Sequence, residues 1–461
     1  MSNYDVAIIG GGTAGAFTAY ELSKLHPELN IVMLEQGNPI ESRKCPIIQK
    51  KTTSCINCKN CSIMNGFGGA GAFSDGKFNF TTAFGGWLHD YIPAEEVMEL
   101  IEYVDSVNMN FGATEERFST YTPEAKALAK KALEHDLHLL GAQVKHLGTE
   151  RNLKILGLMS DYLKERIDLK CNTTVESIEH FADDSYALSI EGTHEKINCK
   201  YLVVAPGRSG AEWFSGQCKE LGINLINNQV DIGVRVELPA SVFEHITDVV
   251  YEAKMVYVTK QYGDAVRTFC MNPYGHVVTE NVEGCITVNG HSYEDPTKQT
   301  ENTNFALLVS KHFSEPFKDS NGYGESIARL SNMLGGGVMV QRFGDLVRGR
   351  RSTVKRVEEG IVRPTLSATP GDLSLVLPKR ILDGIIEMIY ALDKIAPGTA
   401  NDDTLLYGVE VKFYNMEVQL DEHLESIHKG LYIIGDGSGV THSLSHASAS
   451  GVFVAREILK S

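Results

Sequence analysis

Runs of apolar residues near both ends of the chain predict buried strands of a parallel sheet. Residues 5–9 end in Val-Ala-Ile-Ile, a helical pattern follows at residues 16–25, and a second apolar run occupies residues 31–34. Two further runs lie at residues 201–204 and 431–434. Uninterrupted apolar runs are typical of strands that are buried on both faces, as in parallel sheets covered by helices. The pattern therefore predicts an α/β fold whose parallel sheet is assembled from distant segments.

The middle of the chain follows a different pattern. Residues 90–165 are mainly helical in character, and a helix is predicted over residues 125–140. From about residue 216 to 345, short segments rich in valine, tyrosine and threonine, such as residues 255–259 and 285–288, predict strands. No internal repeat and no low-complexity linker separates the two patterns. We therefore expect an α+β domain that is inserted into a discontinuous first domain.

A glycine-rich turn with the spacing G-x-G-x-x-G joins the first apolar run to the first helix. Gly10 permits a tight turn, Gly12 lets a pyrophosphate approach the backbone, and Gly15 lets the helix pack on the strand. The helix start offers free N–H groups and a partial positive charge to phosphates. Glu35, 20 residues past Gly15, is placed to accept hydrogen bonds from an adenosine ribose. The predicted dinucleotide-binding residues are Gly10, Gly12, Thr13, Ala14, Gly15 and Glu35.

Composition limits the partners and the compartment of the protein. The 461 residues carry a formal net charge of −16 with a pI of about 5.4. Nucleic acid is therefore excluded as a main partner, because phosphate backbones require a basic face. No basic segment or cleavage site precedes the first apolar run, and no apolar stretch reaches the roughly 20 residues that span a bilayer. We expect no signal peptide, no membrane span and a cytoplasmic protein whose thiols stay reduced.

Four of the nine cysteines cluster in one short segment, residues 45–61, which we call the cysteine segment. The candidate metal ligands are Cys45, Cys55, Cys58 and Cys61. Their spacing, C-x9-C-x2-C-x2-C among basic residues, is compatible with an iron–sulfur cluster or zinc, with redox-active thiols, or with unligated thiols in a tight loop. The segment leads into a glycine-rich loop at residues 66–77, so a cluster at this place would pass electrons to a bound cofactor.

The carboxyl end of the chain carries a second glycine-rich motif. Residues 430–437, Gly-Leu-Tyr-Ile-Ile-Gly-Asp-Gly, form a turn, an apolar strand and a G-D-G sequence. This segment resembles the second FAD motif of the two-dinucleotide-binding flavoproteins, which include the glutathione reductase superfamily. The resemblance implies that Asp436, after Gly435, hydrogen-bonds a ribityl hydroxyl, and that the following helix points its amino end at the flavin N1–C2=O edge, where negative charge accumulates on reduction. We therefore expect FAD, held where the first and last strands lie side by side.

Other segments acquire a role through the same resemblance. Strand 201–204 ends in Ala-Pro-Gly, the A-x-G at which such chains return to the FAD domain. Segment 173–178 resembles the one whose valine contacts adenine, and loop 66–77 corresponds to a loop along the pyrophosphate and ribityl chain. The further cofactor-binding residues implied in this way are Gly68, Gly69, Ala70, Val175, Ala205, Gly207, Ser450 and Gly451.

Longer motifs extend the resemblance over essentially the full length. They include GFGGAGAFSDGK at 66–77, DIGVRVE at 231–237, VRTFCMNPYGHVV at 266–278 and TLLYGVEVKFY at 404–414. The chain resembles the bacterial and archaeal family of uncharacterised FAD-dependent dehydrogenases, or NAD(P)/FAD-dependent oxidoreductases, which implies the fold and FAD but no substrate. Residues 443–446, Ser-Leu-Ser-His, depart from the Gly and Gln expected there, and this departure would alter the surroundings of the flavin.

With this resemblance, the α/β fold becomes a discontinuous Rossmann-like FAD-binding domain, a parallel sheet with helices, and an inserted α+β substrate or cap domain. We predict that the FAD-binding domain comprises residues 1–89, which include the cysteine segment, residues 166–215 and residues 404–461. A helical segment covers residues 90–165, and the substrate domain covers residues 216–403.

Several polar residues inside the family motifs are candidates for substrate contact. They are Arg267, Asn272, His291, Arg350 and Tyr407. Arg350 belongs to a compact arginine group, which predicts a substrate with an anionic group such as a carboxylate or phosphate. His442 and His446 lie between Asp436 and the flavin-facing helix, and we predict a proton-transfer role for one of them.

These features together predict an FAD-dependent oxidoreductase that exchanges a hydride with a small organic substrate. The preferred reaction is reduction of an activated C=C bond, or its reverse. A second G-x-G-x-x-G on a separate βαβ unit for NAD(P)H is absent from the sequence. Electrons would then arrive through the cysteine segment, from an electron-transfer protein, or from transiently bound NAD(P)H. Two alternatives stay open: a flavin monooxygenase, and a non-catalytic FAD-binding protein that acts through a partner.

Overall fold

A computed structural model describes residues 2–46, 49–52, 56, 58, 60–74, 76–282, 284–293, 295–313 and 319–460. The chain folds into two compact units. The first unit comprises Met1–Arg117, Ala142–Ile226 and Asn415–Ser461, and the second unit comprises Phe118–Gly141 and Asn227–Tyr414. Both units are discontinuous in sequence, and the domain boundaries given above stay a prediction.

Helices occur in both units. They are α1 Thr13–Leu25, α2 Ala94–Asn110, α3 Pro123–Leu133, α4 Thr149–Lys164, α5 Ala211–Glu220, α6 Ala240–Thr247, α7 Ser320–Gly335, α8 Phe343–Val347, α9 Val354–Glu358, α10 Lys379–Ile395 and α11 Leu444–Ile458. Across the described ranges, no helix combines the length and the apolar composition that crossing a membrane requires.

Strands are more numerous, and several are very short. They are β1 Ser2–Ile9, β2 Ile31–Leu34, β3 Lys77–Phe80, β4 Phe118–Ser119, β5 Leu137–Leu139, β6 Gln143–His146, β7 Asp168–Lys170, β8 Val175–His180, β9 Tyr186–Ile190, β10 Lys196–Val204, β11 Leu225–Ile226, β12 Val230–Pro239, β13 Met255–Val258, β14 Ala265–Asn272, β15 His276–Val282, β16 Cys285–His291, β17 Asn302–Lys311, β18 Met339–Arg342, β19 Thr369–Pro370, β20 Leu405–Phe413, β21 Glu417–Val418 and β22 Leu431–Ile433. The strands predicted at 255–259 and 285–288 are β13 and β16, and both are confirmed.

The first unit is built on a sheet in the order β7-β2-β1-β10-β9-β8, with β22 beside the carboxyl half of β10. Strands β7, β2, β1, β10 and β22 run parallel. Their apolar runs are buried between α1 and α11 on one face and α5 on the other. The predicted α/β fold with a parallel sheet from distant segments is confirmed.

The arrangement of the first and last strands differs from the prediction. The two strands do not lie side by side, because β10 pairs in parallel with β1 along one edge and with β22 along the other. The apolar end of β10 is buried on both faces, so it forms a central strand and needs a neighbour on each side. The carboxyl ends of all three strands still meet at one edge of the sheet.

The second unit is built on a mainly antiparallel sheet in the order β19-β18-β20-β12-β17-β14-β13-β5. Along β12, Ile232, Val234 and Val236 lie in the main core of this unit together with residues of α6 and α10. The alternate residues Arg235 and Glu237 lie on the other face, which the β15–β16 hairpin contacts through a hydrogen bond to Arg235. One apolar and one polar face per strand is the usual pattern of antiparallel sheets.

The predicted helix over residues 125–140 is too long. Its amino end is stabilised, because the Thr122 hydroxyl accepts a hydrogen bond from the Ala125 N–H and Pro123 occupies the first turn. Helix α3 nevertheless ends at Leu133, and Asp136 adopts a positive φ of 61°, a conformation that does not continue a helix. The next residues form β5 and pair with β13. That pairing joins segments that are far apart in sequence, so helix propensity did not indicate it.

Candidate functional site

Three turns converge at the carboxyl edge of the parallel sheet in the first unit. The Gly10 N–H donates to the Leu34 carbonyl at 2.8 Å, and the Ala205 N–H donates to the Ile9 carbonyl at 2.8 Å. The Ile434 N–H donates to the Val204 carbonyl at 3.0 Å. Ligands of open α/β sheets bind outside this edge. The glycine turn, the A-x-G turn and the G-D-G turn are therefore neighbours at the expected place for a ligand.

The three glycines of the first turn have different surroundings. Gly10 has a φ of +101°, and a Cβ there would collide with the Ala205 carbonyl oxygen; a Cβ on Gly15 would collide with the Gly10 carbonyl oxygen. A Cβ on Gly12 would meet only the Gly69 Cα, at 4.0 Å. Gly12 is also the N-cap of α1, whose first N–H groups lack intrahelical partners. Two glycines thus serve packing, while the third keeps the backbone of a positively polarised helix end accessible.

Glu35 is buried and ties this turn to the glycine-rich loop. Its Oε2 accepts the Gly11 N–H at 2.8 Å, and its Oε1 accepts the N–H groups of Gly37 at 2.8 Å and Gly66 at 2.9 Å. The Gly68 N–H in turn donates to the Gly11 carbonyl at 2.7 Å. The predicted ribose contact of Glu35 stays a prediction. The structure gives this carboxylate a positioning task, because it holds three backbone segments together.

Arg43 holds the same loop from the other side, and its role was missed from the sequence. It is buried, and its guanidinium donates to the carbonyls of Ser62 at 3.0 Å, Ile63 at 2.8 Å, Phe67 at 2.7 Å and Gly69 at 2.8 Å. Burial lowers the pKa of Arg43 to about 10, although the nearby Glu35 opposes this shift. The sequence offered no signal that separates Arg43 from the other basic residues around the cysteine segment.

The end of the chain packs directly on the first helix. A Cβ on Gly435 would lie 2.9 Å from the Ala14 Cβ, and a Cβ on Gly451 would collide with the Ala14 carbonyl oxygen. The Ser450 hydroxyl accepts the Gly435 N–H at 3.3 Å and donates to the Ala447 carbonyl at 2.7 Å. These contacts place the G-D-G turn and helix α11 beside the amino end of α1, so Gly435, Ser450 and Gly451 join the same site.

Asp436 lies at this edge with its side chain 27% exposed. Burial raises the pKa of its carboxyl group, and Arg208 and Thr441 oppose the shift. The Arg208 Nε lies 3.4 Å from one carboxylate oxygen, and the Thr441 hydroxyl lies 3.4 Å from the other. Arg208 was not singled out from the sequence, although it directly follows the A-x-G turn. The pair offers a carboxylate acceptor and an exposed cation to a ligand.

The remaining predicted cofactor residues are spread around this edge. Thr13 is the first residue of α1, and Ala70 begins a short 3-10 helix that ends at Phe73. Gly207 has a φ of +60° with open space on its Cβ side. Val175 begins β8, close to Thr173, whose N–H donates to the Glu35 carbonyl at 2.9 Å. Their contact with a cofactor stays a prediction.

His442 and His446 are both held in the neutral form. Burial lowers the pKa of His442 to about 3, with help from Arg208, and lowers the pKa of His446 to about 4, with help from His89. The His446 Nδ1 lies 2.8 Å from the Ser443 hydroxyl, and the His442 ring meets Trp87 edge to face at 4.3 Å between centroids. A proton-transfer role for either stays a prediction. At neutral pH each ring carries one N–H donor and one acceptor nitrogen.

We expect the His446→Gln variant to be less sensitive to acid than the wild-type protein. The folded state disfavours the cation, so the stability contributed by neutral His446 is complete above pH 6.5. It is lost as the pH falls from there toward 4. The shift amounts to about 3 kcal/mol at 1.36 kcal/mol per pKa unit. Urea unfolding at several pH values, followed by the fluorescence of Trp87 and Trp213 in the first unit, measures the difference.

The exposed His194 supplies the matched control for this experiment. The His194→Gln variant should lose stability between pH 6.5 and 4 as steeply as the wild-type protein. If His446→Gln shows that same slope, the burial argument for His446 is wrong. A loss of stability that is the same at all pH values would indicate altered packing. It would not affect the readout, which is the slope of the free energy of unfolding against pH.

The cysteine segment is described only in part. Cys45, Cys58 and Cys61 are free thiols, and Cys55 lies outside the described residues. Within the described ranges, no group of three or more His, Cys, Asp or Glu side chains is arranged to hold a metal ion. The predicted iron–sulfur or zinc site is therefore not assembled by the described part of the segment.

The substrate candidates belong to the second unit and have separate environments. The Arg267 Nε is buried without a hydrogen-bond partner among the described residues. The Asn272 amide donates to the Cys270 carbonyl at 2.9 Å, and His291 is exposed beside the ring of Tyr293. The other two candidates, Arg350 and Tyr407, make close side-chain contacts. Arg350 Nε donates to Asp345 Oδ1 at 2.7 Å, and the fully buried Tyr407 donates to Glu237 Oε2 at 2.6 Å.

A buried polar network on the same sheet was missed from the sequence. Arg235 and Glu410 are both fully buried and form a two-point ion pair at 2.8 and 3.1 Å. The remaining Arg235 donors reach the Cys270 carbonyl at 3.0 Å, Asn304 at 2.9 Å and Asn289 at 3.3 Å. At the adjoining end of β12, Asp231 accepts from the Tyr414 hydroxyl at 2.6 Å. Burial raises the pKa of Asp231, while Tyr414, Ser310 and Arg267 oppose the shift.

Part of the chain matches a known protein family. Residues 229–413 match the model of the family described as "FAD-dependent protein, C-terminal domain-like". An uncharacterized protein of Clostridium beijerinckii is 27% identical over an alignment of 474 residues, gaps included. The alignment covers 98% of this chain and 80% of that protein. The matched segment lies entirely within the second unit.

Several solved structures are similar to the chain at low identity and with TM-scores below 0.5. A glycine oxidase from Geobacillus kaustophilus matches with a TM-score of 0.40 and 12% identity, over 100% of this chain and 95% of the oxidase. An L-alpha-glycerophosphate oxidase from Mycoplasma pneumoniae matches with a TM-score of 0.40 and 12% identity, over 100% of this chain and 96% of that chain. An E. coli quinol fumarate reductase matches with a TM-score of 0.43 and 14% identity, over 100% of this chain and 71% of the reductase. These likenesses carry no argument about substrate or reaction.

Proposed function

We propose that the protein holds FAD on its first unit and exchanges a hydride with a small organic substrate; the match of residues 229–413 to a family of FAD-dependent proteins supports this proposal. The prediction that the protein is an FAD-dependent oxidoreductase agrees with this family match. The preferred reaction is reduction of an activated C=C bond or its reverse.

The observation that carries the proposal is the open backbone at Gly12. A side chain there would meet only the Gly69 Cα, whereas Gly10 and Gly15 are closely covered by backbone atoms. The open position lies at the amino end of α1, where N–H groups and the helix dipole attract an anion. A pyrophosphate needs both this space and this charge, so the residues present fit the diphosphate of FAD.

The rest of the first unit fits the other parts of FAD. Asp436, partly exposed and on the same edge, would accept a hydrogen bond from a ribityl hydroxyl. Glu35 and Arg43 hold the glycine-rich loop against the first turn through its backbone N–H and carbonyl groups. When bound, FAD would supply the redox chemistry by accepting or donating a hydride. The protein would supply binding, orientation and electrostatics.

Helix α11 supplies the electrostatic part of this role. Its N-cap is Ser443, whose hydroxyl accepts the His446 N–H at 3.3 Å. The helix N-terminus carries a partial positive charge that stabilises negative charge developing next to it. The positive potential at this helix end comes from the helix dipole and Arg208. His442 and His446 add no charge to it, because neither ring is protonated to the cation at neutral pH.

For the substrate, we propose a small molecule with an anionic group, which would contact the exposed Arg208 at the edge of the first unit. Guanidinium groups prefer carboxylate and phosphate partners. The test must separate three candidate electron sources. They are NAD(P)H, an electron-transfer protein and a metal cluster in the cysteine segment.

Purification under anaerobic conditions tests the proposal. We expect a yellow protein that releases FAD on denaturation and is reduced by two electrons per flavin. Colourless protein that takes up no added FAD would overturn the flavin assignment. Iron, zinc and acid-labile sulfide assays and reduction by NAD(P)H identify the electron source. Oxygen uptake coupled to product formation would favour a monooxygenase instead.

A further inference from the structure

A group of arginines surrounds one buried carboxylate in the second unit. Asp345, on helix α8, is fully buried. Its Oδ1 accepts a hydrogen bond from the Arg350 Nε at 2.7 Å and lies 3.9 Å from the Arg356 Nη1. Its Oδ2 accepts the Ser352 hydroxyl at 2.8 Å and lies 3.5 Å from the Arg342 Nη1. The guanidinium groups of Arg350 and Arg356 are therefore neighbours, because both approach the same carboxylate oxygen.

These arginines carry more positive charge than the buried carboxylate balances. Burial by itself would raise the pKa of Asp345, but the hydrogen bonds and arginine charges around it lower that pKa, so the group is ionised at neutral pH. Arg342 also pairs with Asp403. The single negative charge of Asp345 then faces both Arg350 and Arg356, and an excess of positive charge remains. In a chain whose net charge is −16, this local excess marks a place that attracts anions.

Both guanidinium groups keep donors that no described residue uses. The Arg350 side chain is 47% exposed, and among the described residues only its Nε has a hydrogen-bond partner. Its Nη1–Nη2 edge is left to offer two parallel N–H groups to solvent. The Arg356 side chain is 38% exposed, and its Nη1 donates to the Arg351 carbonyl at 3.1 Å. The Nε and Nη2 of Arg356 have no partner in the described part of the chain and are not closed off from solvent, so a ligand can reach them.

The backbone that carries these side chains is held in place. The Arg350 N–H donates to the Asp345 carbonyl at 3.0 Å, and the Arg350 carbonyl accepts the Gln341 side chain at 2.9 Å. The buried Ser352 donates its N–H to the Gly371 carbonyl at 2.9 Å. Because the backbone and part of each guanidinium are already fixed, binding an anion costs less side-chain freedom than at freely solvated arginines.

We propose that Arg350 and Arg356 form a binding site for a phosphate-type oxyanion, which the second unit builds by itself and which does not require FAD. A guanidinium edge recognises an oxyanion through two parallel N–H groups. Arg350 lies in the loop after α8 and Arg356 on α9, so their donors approach a shared ligand from two elements. A tetrahedral phosphate has oxygens for both groups, whereas a planar carboxylate has two oxygens, which a single guanidinium edge already engages.

Isothermal titration calorimetry with inorganic phosphate tests this site, with chloride added to keep the ionic strength, and therefore the screening of charges, constant. We expect saturable binding in the millimolar range or tighter. Arg350→Gln and Arg356→Gln should each weaken this binding about tenfold, because each removes charge-assisted hydrogen bonds. Arg329→Gln is the matched control, since it removes an exposed arginine that pairs with Glu325 on α7. It should leave the affinity unchanged.

Two further ligands separate the chemistry and the source of the anion. Acetate at the same ionic strength should bind about tenfold more weakly than phosphate, because it engages one guanidinium edge instead of two. Glycerol 2-phosphate that binds more tightly than phosphate would identify an organic phosphate as the ligand. Equal or weaker binding of this monoester would assign the site to the free anion. Acetate that binds as tightly as phosphate would overturn the proposal.

The Arg356→Gln variant covers the case in which Arg350→Gln does not fold, because Asp345 then keeps its hydrogen bond from Arg350. Phosphate should also raise the Tm of the wild-type protein more than that of either variant, since a ligand that binds the folded state stabilises it. Binding that does not saturate in the millimolar range, or that a folded variant retains at wild-type affinity, would overturn the inference. A protein that binds phosphate but no FAD would contradict the proposed function and support this site.

Discussion

Replacing Gly12 with alanine is expected to weaken FAD binding about a hundredfold while the fold stays intact. The backbone at Gly12 has an extended conformation with φ of −67°, which alanine adopts freely, and its Cβ would lie 4.0 Å from the Gly69 Cα. The new methyl group would instead occupy the space that the diphosphate needs. Losing one or two charge-assisted hydrogen bonds costs about 3 kcal/mol, which is about a hundredfold in Kd.

Titration of the apoprotein with FAD, followed by quenching of flavin fluorescence, measures this loss. Gly157→Ala is the matched control, since Gly157 lies inside α4 with no atom within 4 Å of an added Cβ. That change should leave FAD affinity unaltered and stabilise the helix by about 1 kcal/mol. Wild-type affinity in a folded Gly12→Ala protein would show that the diphosphate binds elsewhere.

Arg235→Met is expected to destabilise the second unit by about 3–5 kcal/mol, the usual cost of removing one partner from a buried ion pair. Glu410 would remain fully buried, and among the described residues Lys412, at 3.4 Å, would be its remaining ion-pair partner. The acceptors on Cys270, Asn304 and Asn289 would lose a donor as well. Methionine keeps most of the side-chain volume, so the loss reports the uncompensated charge and not a cavity.

Hydrogen exchange of peptides from β12 and β20 measures this change locally, because each 1.4 kcal/mol is a tenfold change in the opening equilibrium. The double variant Arg235→Met/Glu410→Leu removes both charges and should recover part of the loss. Arg329→Met is the control: Arg329 pairs with Glu325 on the exposed surface of α7, and such pairs contribute at most about 1 kcal/mol. Equal effects of the buried and exposed changes would contradict the argument.

These two expectations concern different units and fail independently. Loss of FAD binding in Gly12→Ala tests the ligand site of the first unit. Destabilisation in Arg235→Met tests the polar face of the sheet in the second unit. A protein that shows the first effect without the second still supports the proposed cofactor site.

The elements that depend on neighbouring residues were predictable from the sequence alone. The apolar runs of β1 and β2 and the G-x-G-x-x-G turn lie within a few residues of each other, so their pattern predicts a strand, a turn and a helix directly. The carboxyl-terminal strand and the helix after it were predicted in the same way. In each case, short-range backbone sterics and the burial of an apolar run are sufficient.

How these elements meet depends on contacts between distant segments, which the folded chain revealed. Strand β10 separates the first and last strands, Asp136 ends α3 early, and Tyr407, a substrate candidate, donates to Glu237 in the core. Arg43 became important because its guanidinium reaches carbonyl groups 19 to 26 residues away in sequence. Contacts between distant segments depend on where the whole chain brings them, and local patterns of hydrophobic and polar residues do not encode that information.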